Sequence, residues 1–145
     1  MEDPYRLRRF VEAQDQNGQY HEVISELRNG HKSSHWMWYV FPQLKGLGQS
    51  WMANEYAIAS LAEAQAYLGH PVLGPRLIEC AQLLLAIDGK SATDVFGSLD
   101  AIKLRSSMTL FGRADPQQAV FRQVLDRYFQ GSEDEETIRR LDSGR

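Results

Sequence analysis

The chain has 145 residues, of which 43% are hydrophobic and 24% charged, and its 16 basic and 19 acidic side chains leave a formal net charge of −3. One domain spanning residues 1–145 is therefore expected, and a collagen, a disulfide scaffold and a largely disordered chain are excluded. The acidic balance and the lack of a long basic run argue against nucleic acid as partner. The longest apolar run, Trp36 to Phe41, has six residues, against the ~20 of a membrane span. Met1-Glu2-Asp3-Pro4 lacks the basic-then-apolar order of a signal peptide, and the single Cys80 has no internal partner. A cytoplasmic location is the expectation.

Taken in chain order, the pattern predicts a mainly α-helical fold. Tyr5 to Asp15 reads as a helix with Leu7, Phe10 and Val11 on one face, broken at Asn17-Gly18. Tyr20 to Arg28 follows, with Val23, Ile24 and Leu27 inward and Asn29-Gly30 as its stop. Residues 36–41 separate no polar face, so a buried extended segment and a buried helical segment both remain open. Pro42 stops that segment, and Gly46 and Gly48 make a turn. Ser60 and Glu63 have capping-box spacing at the start of the next helix, which Gly69-His70-Pro71 closes. Leu73, Leu77, Ala81 and Leu84 then form a stripe that marks the central helix. A short helix is expected over Ser91 to Phe96, and another over Leu99 to Phe111. Asp115-Pro116 reads as the N-cap and first residue of a helix that buries Val120, Phe121, Val124, Leu125 and Tyr128 and stops at Gly131. Residues 132–145 read as a charged, exposed C-terminal helix with a frayed end, Glu135 and Glu136 standing four residues before Arg139 and Arg140.

Three stretches carry candidate chemistry. In the first, Trp36, Trp38 and Tyr39 lie beside His35 and Gln43. Flat rings with polar neighbours suit a pocket wall that stacks on a planar ligand; a Trp-rich core accounts for the same residues. His31 and His35 have i, i+4 spacing but no His-Glu-x-x-His pattern, so no metal site is expected, and no cofactor. In the second, Asp100, Lys103 and Ser107 border the Leu104, Met108, Phe111 stripe. They read either as an intrahelical ion pair with a back-bonded hydroxyl or as a polar site facing a ligand. In the third, His70, Gly74 and Arg76 at a helix start suit an anion, or a helix corner in which Arg76 pairs with Glu79. Cys80 reads as a small core residue rather than a nucleophile. Phosphate-loop, zinc and hydrolase-elbow motifs are absent. Between residues 100 and 113 one acid, Asp100, stands against Lys103, Arg105 and Arg113, a locally positive stretch next to the aromatic one.

These stretches resemble the family called domain of unknown function 1810. The resemblance rests on Ser34-His35-Trp36-Met37-Trp38-Tyr39-Val40-Phe41-Pro42-Gln43, on Gly46-Leu47-Gly48, on His70-Pro71-Val72-Leu73-Gly74, and on Lys103-Leu104-Arg105-Ser106-Ser107-Met108-Thr109-Leu110-Phe111. It covers nearly the whole chain and implies no assigned activity. Some members carry the label calpastatin, although calpastatins are long, repetitive and disordered. A second likeness, to the NADAR family, implies N-glycosidase chemistry on ribosylated compounds. The resulting expectation is an enzyme or sensor for a small anionic, nucleotide-like or ribosylated molecule. Asp100, Lys103 and His35 would be its catalytic residues, and Trp36, Trp38, Tyr39, Gln43, Arg76 and Ser107 would bind the ligand. The alternative is a non-catalytic protein-interaction or inhibitor module.

Overall fold

In the computed structural model, which describes residues 2–143, the secondary structure is helical, with one isolated parallel bridge between Leu44 and Ile58. The helices are α1 (Arg8–Asp15), α2 (Gln19–Arg28), α3 (Met37–Val40), α4 (Trp51–Glu55), α5 (Leu61–Gly69), α6 (Leu73–Leu85), α7 (Ala92–Phe96), α8 (Ser98–Ala114), α9 (Ala119–Phe129) and α10 (Glu135–Ser143). None of them is long and apolar enough to cross a membrane.

The apolar stripes fold where their periodicity points. Leu73, Leu77, Ala81 and Leu84 of α6 are all fully buried, as are Phe121 and Val124 of α9. The hub, however, is α8 rather than α6. It packs against α5, α7, α9 and α10, whereas α6 meets α2, α5 and α9. The reason lies in α8's small residues: Ser106, Ser107 and Thr109 are buried along with Leu104, Met108 and Phe111, so neighbours approach on several sides.

Local signals decide most boundaries. Asn17 and Gly18 adopt positive φ and separate α1 from α2. Ser91 and Asp94 form a reciprocal capping box at α7. At α5 the box is only half made: the Ser60 hydroxyl accepts the Glu63 N–H at 3.1 Å, but the Glu63 carboxylate turns to the Ala59 N–H and to Arg9. Arg9 in turn donates to the carbonyls of Glu55 and Ala57, both at 2.8 Å, so one buried ion pair ties α1 to the start of α5. Helix α4, absent from the sequence reading, is capped by Ser50.

One open alternative is decided and two expectations are corrected. Residues 36–41 are not extended: α3 is one helical turn, with Met37, Tyr39 and Val40 all buried. Asp115-Pro116 does not start α9. Gln118 caps it, while Asp115 accepts the Gln117 N–H in a preceding turn. Helix α10 is not exposed all round, since Thr137 is fully buried and hydrogen-bonded to Asp134; the chain end expected to fray includes residues 144 and 145, which lie outside the described residues.

At the α5–α6 corner, a Cβ on Gly74 would overlap the Leu68 carbonyl, a backbone group with no freedom to swing aside. Gly74→Ala is accordingly expected to lower stability by about 1–3 kcal/mol, read from the midpoint of urea unfolding.

Candidate functional site

The site is organised by a residue that sequence reasoning passed over. Glu26 lies one residue before Leu27 and three after Val23, on the buried side of α2, and is itself buried. At Gly30, with φ of +70°, the chain reverses and runs back across this carboxylate. Glu26 accepts hydrogen bonds from the Ser33 N–H at 2.8 Å, the Ser34 N–H at 3.0 Å and the Trp36 indole N–H at 2.9 Å, and from the Ser34 hydroxyl. Burial alone would raise its pKa; the donors, those of Ser34 foremost, outweigh that and hold it at about 2. The segment joining α2 to α3 is thus wrapped around one negative charge.

Lys32, in the same segment, is nearly buried. Its ammonium donates to the Ser34 carbonyl at 2.6 Å, pairs with Asp100 Oδ2 at 2.8 Å and lies 5.1 Å from the Trp36 ring centre. Its backbone N–H donates to the Val95 carbonyl at the end of α7. Gly97, with φ of +81°, then turns the chain from α7 into α8, whose first turn carries Asp100. The second oxygen of Asp100 faces Lys103 at 3.5 Å, and the Lys103 ammonium sits 5.6 Å from the Trp38 ring centre. Two lysines therefore share one carboxylate beside an indole. Lys103 is the looser of them, its side chain 29% exposed against 6% for Lys32.

The structure thus brings together Asp100, Lys103, Trp36 and Trp38 from the two stretches. The other candidates are placed differently. Trp36 is fully buried against Phe41 and Phe96, so its ring offers no open face. Tyr39 is buried in an edge contact with Tyr56, and its hydroxyl donates to the His35 carbonyl. The His35 side chain is exposed. The Gln43 carbonyl accepts the Ile58 N–H at 2.9 Å in the loop pairing next to the isolated bridge. Arg76 is engaged with Asp15 at 2.8 Å and Gln14 at 3.1 Å, and stacks on Tyr20; it does not pair with Glu79, which instead accepts from the Tyr20 hydroxyl. His70 Nδ1 accepts the Val72 and Leu73 N–H groups, occupying the helix start that one of the two readings gave to an anion. Ser107 is fully buried, and its hydroxyl has no hydrogen-bond partner among the described residues. Burial pushes the Cys80 thiol up to about 12, which keeps it a thiol and not a nucleophile at neutral pH.

Of the positive stretch on α8, Arg105 is tied to Ser132 and to the Glu133 carbonyl, and Arg113 is doubly bonded to the Glu133 carboxylate. That leaves Lys103 as the cation of this stretch that belongs to the cluster. A cavity of about 860 Å³ lies elsewhere, between the 44–46 loop, the start of α5, Arg113 and α10. A smaller one of about 190 Å³ lies between α8 and α9. None of the nine candidate residues lines either cavity.

No curated protein matches the chain at a significant level. Among solved structures, it is similar to the conserved hypothetical protein Rv1873 from Mycobacterium tuberculosis. The two share 51% identity and superpose with a TM-score of 0.94, covering 97% of this chain and 99% of the other. Residues 4–141 match the family described as protein of unknown function DUF1810. With fold and sequence in agreement over almost its whole length, the chain belongs to that family.

Proposed function

We propose that the chain binds a small anionic, nucleotide-like or ribosylated molecule at the Trp38–Lys103 edge of this cluster. The observation that supports the reading is the sharing of Asp100 by Lys32 and Lys103 next to a half-buried indole. Glu26 and Asp100 balance the two lysines in charge, but Asp100 holds Lys32 at 2.8 Å and the more exposed Lys103 only at 3.5 Å, so a phosphate can take the Lys103 ammonium while a planar group meets the Trp38 ring. Trp36 backs this edge from the core through Lys32, while Tyr39 packs against Tyr56. His35, on the same segment, is free to reach solvent or ligand. Gln43 and Arg76 hold other parts of the fold, Ser107 is buried within α8, and none of the three takes a role in this reading.

A catalytic form of the proposal is hydrolysis of an N-glycosidic bond, which the NADAR likeness suggests. Water would add to the anomeric carbon, and its proton would pass to the departing nitrogen. Asp100 serves as base only once its Oδ1 is released, and a ligand anion that draws Lys103 away would release it. A cytoplasmic setting suits a ligand of this kind.

A second reading, the interaction or inhibitor module that the calpastatin label implies, is favoured by one observation. Leu99 and Ile102, three residues apart on α8 in the turn before Lys103, are 75% and 60% exposed. A thermal-shift series separates the two readings. ADP-ribose, NAD and flavin precursors at millimolar concentration are expected to raise the melting temperature of the wild-type protein but not that of Lys103→Ala. No shift with any of them would favour the interaction module. Stability supplies a control. Lys103→Ala is expected to cost less than about 1 kcal/mol, as a partly exposed ion pair does. Lys32→Ala should cost clearly more in the same denaturation experiment, because it strips Asp100 and the Ser34 carbonyl of a buried partner.

A further inference from the structure

The cavity of about 860 Å³ is as large as the pockets that enclose small ligands, and the proposed function makes no use of it. Its walls are apolar where Leu44, Leu61, Ile138 and Leu141 meet, and three cations, Lys45, Arg113 and Arg140, lie around them with one carboxylate, Asp142. The two arginines are held from one side. Glu133 binds Arg113 through Nε and Nη2 at 2.8 and 2.9 Å, and Glu136 binds Arg140 through Nε at 2.9 Å. The paired bonds orient the Arg113 guanidinium and the Nε bond tethers that of Arg140, leaving Nη1 of Arg113 and both Nη groups of Arg140 without a hydrogen-bond partner among the described residues. Gly46, with φ of +96°, makes room for this arrangement: a side chain there would overlap the Arg140 guanidinium, which rests against the bare loop backbone. A fixed guanidinium recognises planar or tetrahedral oxyanions, and the apolar walls gain from covering hydrocarbon.

We infer that this cavity is a second binding site, for a small amphipathic anion with a carboxylate or phosphate head and a short apolar tail. The tail lies against Leu61, Ile138 and Leu141, and the head meets Arg140 and Arg113, with Lys45 adding charge. The inference stands apart from the proposed nucleotide-like ligand, since it shares no residue with the Trp38–Lys103 edge.

Calorimetric titration with octanoate and with octyl phosphate, each below its micellar concentration, tests it and distinguishes the two heads. Saturable binding is expected for at least one of them. Acetate, lacking the tail, and octanol, lacking the head, should bind at least about tenfold more weakly. Ala62→Trp, which fills the mouth from an exposed position without removing a charge, should abolish binding, and Arg140→Gln should weaken it about tenfold. Lys103→Ala should leave it unchanged. Absence of saturable binding by either anion would overturn the inference, as would equal affinity for octanol or unaltered affinity in Ala62→Trp.

Discussion

Replacing Glu26 by alanine should lower the unfolding free energy on the order of 3–5 kcal/mol, because it strands several donors at once. The Ser33 and Ser34 N–H groups and the Trp36 indole N–H all point at this carboxylate. The loss should spread beyond α2, since the same segment carries Lys32 to Asp100. The effect is also pH-dependent, and its sign is fixed. The Glu26 pKa lies at about 2 in the fold against an ordinary 4.5. A carboxyl lowered on folding contributes fully above its unfolded value and loses that contribution as pH falls through the folded one. Wild-type stability should therefore drop by roughly 3 kcal/mol between about pH 4.5 and pH 2 from this group alone. Glu26→Gln should be less stable than wild type at neutral pH and approach it as the solution is acidified. Urea unfolding of both proteins across that range would reveal the convergence; parallel curves would show that Glu26 does not carry the segment.

Leu84→Ala should cost about 2–5 kcal/mol. Leu84 is fully buried at the end of the α6 stripe, and its carbonyl accepts the Tyr128 hydroxyl at 2.6 Å, tying α6 to α9. Truncation leaves a cavity at this junction that the two helices can only partly close. A loss below about 1 kcal/mol in denaturant unfolding would mean that the end of α6 repacks freely, contrary to the packing described.

The fold was legible where one helix carries its own signal. The stripes of α6 and α9, the Ser60 cap and the stops at Gly30 and Gly131 each depend on residues a few positions apart. Helix α4 escaped because its five residues are too few for a stripe and none is buried. The 36–41 segment resisted assignment because most of its residues face the core, which erases periodicity in either conformation. At the site, the Asp100–Lys103 pair was legible, being three residues apart on one helix. Lys32 was not: its pairing with Asp100 exists only because Gly30 and Gly97 turn two distant segments toward each other. Glu26 was hidden for a similar reason. A glutamate on an apolar face is indistinguishable in sequence from a solvent-facing one until its donors are folded over it.

The central claim, that Lys103 and Trp38 receive a small anionic ligand, is tested most directly by isothermal calorimetry with ADP-ribose. Three proteins suffice: wild type, Lys103→Ala and, as a charge-matched control, Arg8→Ala, whose side chain is exposed on α1. The account predicts saturable binding to the wild type and to Arg8→Ala, with affinity at least about tenfold weaker in Lys103→Ala. Equal affinity in all three, or no binding heat in the wild type, would contradict it.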